Sequence, residues 1–475
     1  MKKHISLLQL LSPSEYELFY DWLSTPWFNT DANLRILAQY SYSQGKELSN
    51  EVLFQKLYPG KPYHDQLLRN KQNLLTRKLE RFIAWKQLES DPSLQSQLLG
   101  KRLLDRSDLK SFRKNLHQKL QKPWHQVSSL QNLDFDQKMA ELDYRLEQKS
   151  QRQEAEKGLE KLIQEMDANW ITNRLKFSCE MLNRGLTLGK QSDMSIEQVL
   201  QFLPLNNNPK LLLARLYRYI YLTLTKPNET SNYFLVKETL QDQLNKIDPK
   251  ESTELFTFLQ NYCIRRINTG QPEFLQELFS NYKLLLQSKL ILNDGVLGEF
   301  DFKNIITVSI RLGELVWAHH FIQEYAALLP SQHQNNAVQY NQARLFYAEQ
   351  NLKQALKSLT AVEYTDVYYH LDSRILLTKI YFDQEDIESL FSSIQSFRQY
   401  LNRTKQISAA QQKLYSNFLS VIKRLGMLMD GSNVDLIKLE SFLKDNPQTA
   451  DITWLRERVE RAKLASNNKL PPDDH

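Results

Sequence analysis

The stretch "YNQARLFYAEQNLKQALKSLTAVEYTD", residues 340–366, has the pattern of two short helices joined by a tight turn. Ala343 and Ala355 are small residues at positions where two helices would cross closely, and the larger Phe346 follows three positions after the first. Leu359 continues one apolar face of the second helix. A single hairpin of this size cannot bury its apolar face alone, so we expect further copies in the chain.

The pattern of this stretch recurs along the chain. Thr378 and Tyr381 repeat the small and the large position of the first helix 35 residues later. Gly270 and Gly313 mark turns between paired helices upstream, because glycine readily ends a helix. We expect about four hairpins between residues 255 and 400. Leu390 is large where Ala355 is small, which predicts a looser helix crossing there. The positions that begin each second helix are Leu275, Ala318, Ala355 and Leu390, at intervals of 43, 37 and 35 residues.

This pattern resembles the tetratricopeptide-repeat (TPR) family and, more loosely, the wider class of α-helical solenoids. The resemblance rests on Ala343, Phe346, Ala355 and their counterparts, and it covers roughly a third of the chain. It implies an all-α fold, in which helical hairpins stack into a TPR-like α-solenoid with a helical N-terminal domain attached. It also implies a non-enzymatic scaffold or adaptor that binds a peptide or another protein in the groove lined by the first helix of each hairpin.

The groove candidates combine cations with aromatic residues, which suits an acidic segment or a C-terminal carboxylate. The alternative is that the aromatic residues pack against the neighbouring hairpin while the cations are solvated. The eight candidates are Lys303, Thr307, Arg311, Tyr340, Arg344, Tyr347, Lys379 and Phe382.

Composition agrees with an all-α chain. The 475 residues contain only 12 Gly and 15 Pro, the two residues that tight turns between strands need and helices avoid. Two cysteines in so long a chain fit a reducing compartment. No run of about 18 apolar residues is present, so no segment is expected to span a membrane. These features predict a cytoplasmic protein without a membrane partner.

No sequence motif indicates catalysis, a metal or a cofactor. Cys179 and Cys263 lack a second cysteine at zinc-ligand spacing, and none of the nine histidines belongs to an H-E-x-x-H motif. Glycine-rich phosphate-binding motifs are also absent from the sequence. We therefore predict no catalytic residues, no metal and no cofactor, hence a protein that is not an enzyme. An enzyme whose active site is assembled from distant residues is a further alternative.

The N-terminal segment predicts several capped helices. Ser12 and Ser49 are expected N-caps, and Pro13 suits a first helical position. A short helix, a turn at Pro59 and a long basic helix then give the outline of a helix-turn-helix. This outline resembles the winged-helix units of some bacterial transcription regulators, although the segment after residue 89 is typical of another helix and not of a β-rich wing.

Nucleic-acid binding is the alternative function. Residues 61–122 contain 15 Lys and Arg against 6 Asp and Glu, a charge of +9, which leaves −3 for the rest of a chain of net charge +6. Such asymmetry can indicate a nucleic-acid partner. These cations could equally be solvent-side charges on a packed helix. The candidates for phosphate contacts are Arg69, Lys71, Arg77, Lys78 and Arg81.

The sequence divides into four predicted parts. An N-terminal helical domain of residues 1–90 is followed by long charged helical hairpins in 91–190, where the heptad pattern of a coiled coil does not persist. TPR-like repeats fill 191–462, and the polar, proline-containing residues 463–475 are expected to be a disordered tail. The N-terminal "WLSTPWFN" and "LYPGKPY" are similar to segments of uncharacterised bacterial helical proteins and carry no functional implication.

Overall fold

A computed structural model describes residues 3–43, 49–106, 108–122, 125–148, 152–188, 196, 200, 208–362, 367–404 and 406–467. Within these residues, regular structure consists of 22 α-helices, short 3-10 turns and a single two-stranded β-hairpin. This composition confirms the predicted all-α fold. The chain forms two compact units, Met1–Asp248 and Pro249–His475.

The first unit contains both predicted N-terminal segments and also residues 191–248, which the sequence assigned to the repeats. The reason is that the long helix Arg152–Leu188 contacts both the helix before it, Leu130–Glu147, and the helix after it, Leu212–Thr225. The helices of this unit are α1 (Lys3–Gln9), α2 (Pro13–Trp22), α3 (Ala32–Ser43), α4 (Asn50–Leu57), α5 (Asp65–Ser90), α6 (Pro92–Asp105), α7 (Leu109–Leu120), α8 (Leu130–Glu147), α9 (Arg152–Leu188), α10 (Leu212–Thr225) and α11 (Ser231–Gln243).

Helix capping in the first unit follows the sequence prediction. Ser12 forms a capping box with Glu15, and Pro13 occupies the first turn of α2. The hydroxyl of Ser49 accepts a hydrogen bond from the backbone N–H of Val52 at the start of α4. The apolar face of α5 then packs against α1 to α4. Its buried residues Leu68, Leu75, Leu79 and Phe82 repeat at intervals of seven, four and three, which is the periodicity of one helix face.

The second unit begins with four consecutive helix pairs. Its helices are α12 (Pro249–Asn268), α13 (Phe274–Gln287), α14 (Glu299–Leu312), α15 (Leu315–Tyr325), α16 (Gln334–Ala348), α17 (Leu352–Thr360), α18 (Val367–Asp383), α19 (Ile387–Arg403), α20 (Ala409–Met429), α21 (Leu436–Asp445) and α22 (Ile452–Asn467). Strands β1 (Leu292–Asn293) and β2 (Val296–Leu297) form the antiparallel hairpin before α14.

The four helix pairs share one turn geometry. In each, a residue with φ between 57° and 88° follows the first helix. Its N–H bonds to the carbonyl three residues back, at 3.1 Å, and the next N–H bonds to the carbonyl five residues back, at 2.8–3.1 Å. This is the Schellman motif that ends helices. Each of these turn residues lies five positions before a residue that was predicted to begin the second helix of a pair. The four turn residues are Gly270, Gly313, Gln350 and Glu385.

The crossing at Leu390 differs from the prediction of a loose contact. Leu390 is fully buried, and a Cβ added to Gly426 on α20 would lie only 2.9 Å from Leu390 Cδ2. The helices α19 and α20 therefore approach closely, because the facing helix supplies the missing small residue. A fifth turn of the same kind, at Gly431, ends α20.

The C-terminal end of the second unit is a packed cluster. Helix α22 contacts α20 and α21, and its Leu455 and Val459 are buried in a core shared with α18 to α21. Helix α22 continues to Asn467, so the predicted disordered tail is wrong for residues 463–467. The remaining tail residues, 468–475, lie outside the described residues.

Candidate partner-binding face

The first helices of three successive pairs lie against one another. Helix α14 contacts α16, and α16 contacts α18. All eight predicted groove residues lie on these three helices. Spacings of three and four residues place Lys303, Thr307 and Arg311 on one face of α14, and Tyr340, Arg344 and Tyr347 on one face of α16.

Lys303 links the outer two of these helices. Its ammonium group forms an ion pair with Asp372 on α18, and each side chain of the pair is 26% exposed. The same ammonium lies 5.7 Å from the ring centroid of Tyr340 and 5.9 Å from that of Tyr369. Cation–π contacts at such distances are favourable. Lys303 is thus half-buried and paired, contrary to the alternative in which the cations are simply solvated.

Arg344 is bound in a different way. Its Nη1 donates a 2.7 Å hydrogen bond to the hydroxyl of Thr307, and its guanidinium lies 5.8 Å from the ring centroid of Tyr340. Among the described residues, no carboxylate forms an ion pair with Arg344 or with the exposed Arg311, one turn beyond Thr307 on α14. These two arginines are the part of the predicted groove where positive charge is left without a counter-charge.

Tyr347 occupies the centre of a partly buried hydrogen-bond chain. Its hydroxyl donates to Asp383 Oδ2 at 2.5 Å and accepts from Trp454 Nε1 at 2.9 Å. Arg458 binds both oxygens of Asp383, with Nε donating to Oδ1 at 3.1 Å and Nη2 donating to Oδ2 at 3.0 Å. This bidentate geometry is the strong form of an arginine–carboxylate contact. Helix α22 is therefore anchored onto α16 and α18.

Two further predicted residues also contact the end of the chain. Lys379 forms a 2.8 Å ion pair with Asp451, and its ammonium lies 5.0 Å from the ring centroid of Tyr347. Phe382 packs edge-on against Trp454, with ring centroids 5.5 Å apart. The aromatic residues of the predicted groove thus pack within the protein, as the alternative interpretation expected.

We name the charged set along this face the polar ladder. It joins α14, α16 and α18 with the segment around α22, and it has five cations and three carboxylates, a net charge of +2. Its carboxylates and Arg458 were missed in the sequence, because they come from outside the aligned groove positions or from a helix far along the chain. The members are Lys303, Arg311, Arg344, Lys379, Arg458, Asp372, Asp383 and Asp451.

Burial controls the titration of the tyrosines in this face. Burial, and then the charge of Asp372, raises the pKa of Tyr340 well above its usual range. Burial also raises the pKa of Tyr347, with a further contribution from its hydrogen bond to Asp383. Both phenols stay protonated at neutral pH, so Tyr347 remains a hydrogen-bond donor to Asp383.

The predicted nucleic-acid residues are largely engaged with a turn of the protein itself. Lys71 forms an ion pair with Asp31, and Lys78 donates to the carbonyl oxygen of Phe28. The guanidinium of Arg81 lies 5.6 Å from the ring centroid of Phe28. The prediction of a fully exposed basic face is therefore wrong for Lys71 and Lys78, which are half-buried because they hold the turn between α2 and α3 against α5.

The other two candidates are exposed. Arg69 forms a 2.7 Å ion pair with Asp65 one turn earlier on α5, and both side chains are well exposed. Arg77 forms no ion pair with any described residue. Trp27, in the turn held by Lys71 and Lys78, is 90% exposed. This edge of the first unit therefore offers exposed cations and one exposed indole.

Within the described residues, no group of three or more His, Cys, Asp or Glu side chains is placed to hold a metal ion. Cys179 and Cys263 are buried thiols. Burial, with a contribution from Glu180, raises the pKa of Cys179, which disfavours the nucleophilic thiolate. No described helix combines the length and apolar character needed to cross a membrane.

In comparisons with known proteins, no protein-family model, no curated protein and no solved structure matches the chain. The resemblance to TPR proteins therefore rests on the residues and the shared turns.

Proposed function

We propose that the chain is a non-catalytic scaffold of TPR-like helix pairs that binds an acidic segment of another protein beside the polar ladder. The observation that carries this proposal is the pair Arg344 and Arg311, which have no carboxylate partner among the described residues, although the other ladder cations do. A guanidinium forms strong bidentate hydrogen bonds with carboxylates, so a partner's Asp, Glu or C-terminal carboxylate would complete the ladder.

The helix arrangement supports the proposal. Repeated helix pairs that contact their neighbours present one extended face built from their first helices. Here α14, α16 and α18 contact in sequence and carry the ladder on one face. The recurrent turns at Gly270, Gly313, Gln350 and Glu385 share one hydrogen-bond pattern and a positive φ at the same position. The stacking of the pairs into a solenoid is part of the proposal.

The test is an array of randomised acidic peptides, each matched with a counterpart in which Asp and Glu are replaced by Asn and Gln. We expect the protein to bind a subset of acidic peptides and not their amide counterparts. The double variant Arg311→Gln/Arg344→Gln should weaken binding at least tenfold, about 1.4 kcal/mol. Lys357→Gln, an exposed cation on α17, is the matched control and should bind as the wild type does. Equal binding of acidic and amide peptides would overturn the proposal.

Nucleic-acid binding is a second proposal, favoured by one observation. Trp27 is 90% exposed on a turn held against α5, where Arg77 and Arg69 are also exposed. Stacking of bases on an exposed aromatic ring beside cations is the common mode of single-strand binding. Three of the five predicted cations nevertheless hold the turn itself, so the support is smaller.

Anisotropy of labelled single-stranded and duplex oligonucleotides tests this second proposal. Binding should fall steeply with salt and should be lost in Trp27→Ala and Arg77→Gln. Lys357→Gln again serves as the control. Absence of binding at low salt would exclude the proposal.

A further inference from the structure

Helix α9 exposes an apolar stripe along most of its length. The members range from 40% to 69% exposed, values unusual for large apolar side chains on a helix of a folded protein. At about 100° per residue they all fall within one narrow sector of the helix. The stripe consists of Leu159, Ile163, Met166, Trp170, Phe177, Met181 and Leu188.

The stripe is separate from the face by which α9 joins the core. Leu162, Ile171, Leu175 and Cys179 are buried, and α9 contacts α8 and α10. Because only one of the two apolar faces of α9 packs on the core, the other face is left exposed to solvent and is available to bind a partner. The sequence showed Leu159, Met166 and Trp170 as apolar but did not distinguish them from core residues.

The area of the stripe matches the needs of a dimer. Scaled by their exposed fractions, the seven side chains present on the order of 800 Å² of surface, which is about what each partner contributes to a stable interface. The largest apolar patch on a typical monomer is smaller, about 300–600 Å².

The spacing of the stripe is self-complementary. Six of its members are separated by 7, 4, 7, 4 and 7 residues, the same sequence of intervals in both directions. A two-fold interface requires a patch that matches itself when reversed. Antiparallel pairing of two α9 helices about residues 173–174 would place Trp170 opposite Phe177, Met166 opposite Met181 and Leu159 opposite Leu188. Ile163 would face Arg184, whose aliphatic stem can cover an apolar side chain.

We propose that the stripe is the interface with a second copy of this chain, which pairs through α9 in antiparallel orientation. The inference is independent of the proposed scaffold function, since it uses no residue of the polar ladder. Light scattering after size-exclusion chromatography should give the full chain twice its mass of 56.1 kDa at micromolar concentration. The variant Trp170→Glu/Phe177→Glu should give the single mass with unchanged helical circular dichroism.

Leu186→Glu is the matched control. Leu186 is 49% exposed but lies on the other side of α9, so this variant should remain dimeric. A wild-type chain of single mass would overturn the proposal, and so would a dimer that survives in Trp170→Glu/Phe177→Glu.

Cross-linking tests the orientation. In an antiparallel dimer, a mixture of Met166→Cys and Met181→Cys chains should form a disulfide-linked pair, and neither variant should do so alone. The buried Cys179 and Cys263 provide no exposed thiol for a background reaction. Efficient linkage of each variant with itself would indicate a parallel pair and would overturn the antiparallel assignment.

Discussion

The indole of Trp454 donates a 2.9 Å hydrogen bond to the hydroxyl of Tyr347, a residue 107 positions earlier in the chain. The same hydroxyl donates to Asp383, which Arg458 binds with two hydrogen bonds. One phenol therefore connects the third helix pair to the last helix. The geometry of the proposed binding face thus depends on the C-terminal helix.

Tyr347→Phe should destabilise the second unit without creating a cavity. It removes the acceptor of the Trp454 N–H and one donor to Asp383, so we expect a loss of about 1–2 kcal/mol in the free energy of unfolding. Denaturant titration measures this loss. Tyr219→Phe is the control, because the Tyr219 hydroxyl forms no hydrogen bond with any described residue. The free energy of unfolding of this variant should be nearly unchanged. An equal effect of both substitutions would contradict the assigned role of the phenol.

Leu390 and Gly426 should behave as a coupled pair. Gly426→Ala adds a Cβ 2.9 Å from Leu390, and overpacking of this kind costs about 1–3 kcal/mol, partly offset by the better helix propensity of alanine. Leu390→Ala alone should cost about 2–5 kcal/mol. The double variant should lose less than the sum, with a coupling of about 0.5–3 kcal/mol measured by denaturant unfolding. Strict additivity would show that the two residues do not share this space.

Gln350→Gly and Glu385→Gly should stabilise the protein. Both residues have positive φ, 61° and 57°, which costs an L-residue with a Cβ more than it costs glycine. After the larger chain entropy of glycine is subtracted, a gain of about 0.5–1 kcal/mol per site is expected. Lys357→Gly, within α17, is the opposite control and should lose about 1 kcal/mol. Destabilisation by Gln350→Gly in thermal or denaturant unfolding would contradict the strained turn.

The stability of the folded protein should fall as the pH is lowered, because the imidazole of His370 resists protonation in the folded state. Burial, and then Arg374, lowers the pKa of this imidazole to about 4, against about 6.5 in an unfolded chain. Between these two pH values the unfolded chain binds more protons than the folded chain does. Stability is therefore lost as the pH falls from about 6.5 to about 4. Because the ring is partly exposed, we expect a loss of about 1 kcal/mol.

His370→Gln should remove this part of the pH dependence. Unfolding at pH 8 gives the background cost of the substitution, and unfolding at pH 5 gives the difference that titration causes. If the wild type and the variant lose the same amount of stability between pH 7 and pH 5, the loss of stability is caused by groups other than His370.

The local features of the fold were predictable from the sequence. N-caps at Ser12 and Ser49 and the turn at Gly313 depend on a few adjacent residues, and the structure has them where the sequence predicted them. Gln350 and Glu385 form the same turn without glycine, so no residue type marked them. The similar turn at Gly431 did carry a glycine, and it was missed because the repeat spacing there is longer.

The distant contacts were not predictable. A single sequence does not show that Leu390 faces Gly426, since the small residue has moved to the neighbouring helix. It also does not show that Asp372 neutralises the groove cation Lys303, or that Asp383 binds Arg458 from the distant C-terminal helix. The eight groove residues were predicted from the repeat alignment to be helical, and all of them lie on helices. Their role in binding stays a prediction.

The five turn residues with positive φ, from Gly270 to Gly431, are separated by unequal intervals of 43, 37, 35 and 46 residues. In the first four pairs, however, the distance from the turn residue to the residue predicted to begin the second helix is always five positions. The differences in length between the pairs therefore lie in the helices and in the connections between pairs, and not at the turns within pairs. An inserted residue at one of these turns would rotate the second helix of the pair away from the first, so we expect inserted segments to be tolerated in the connections between pairs and not at the turns.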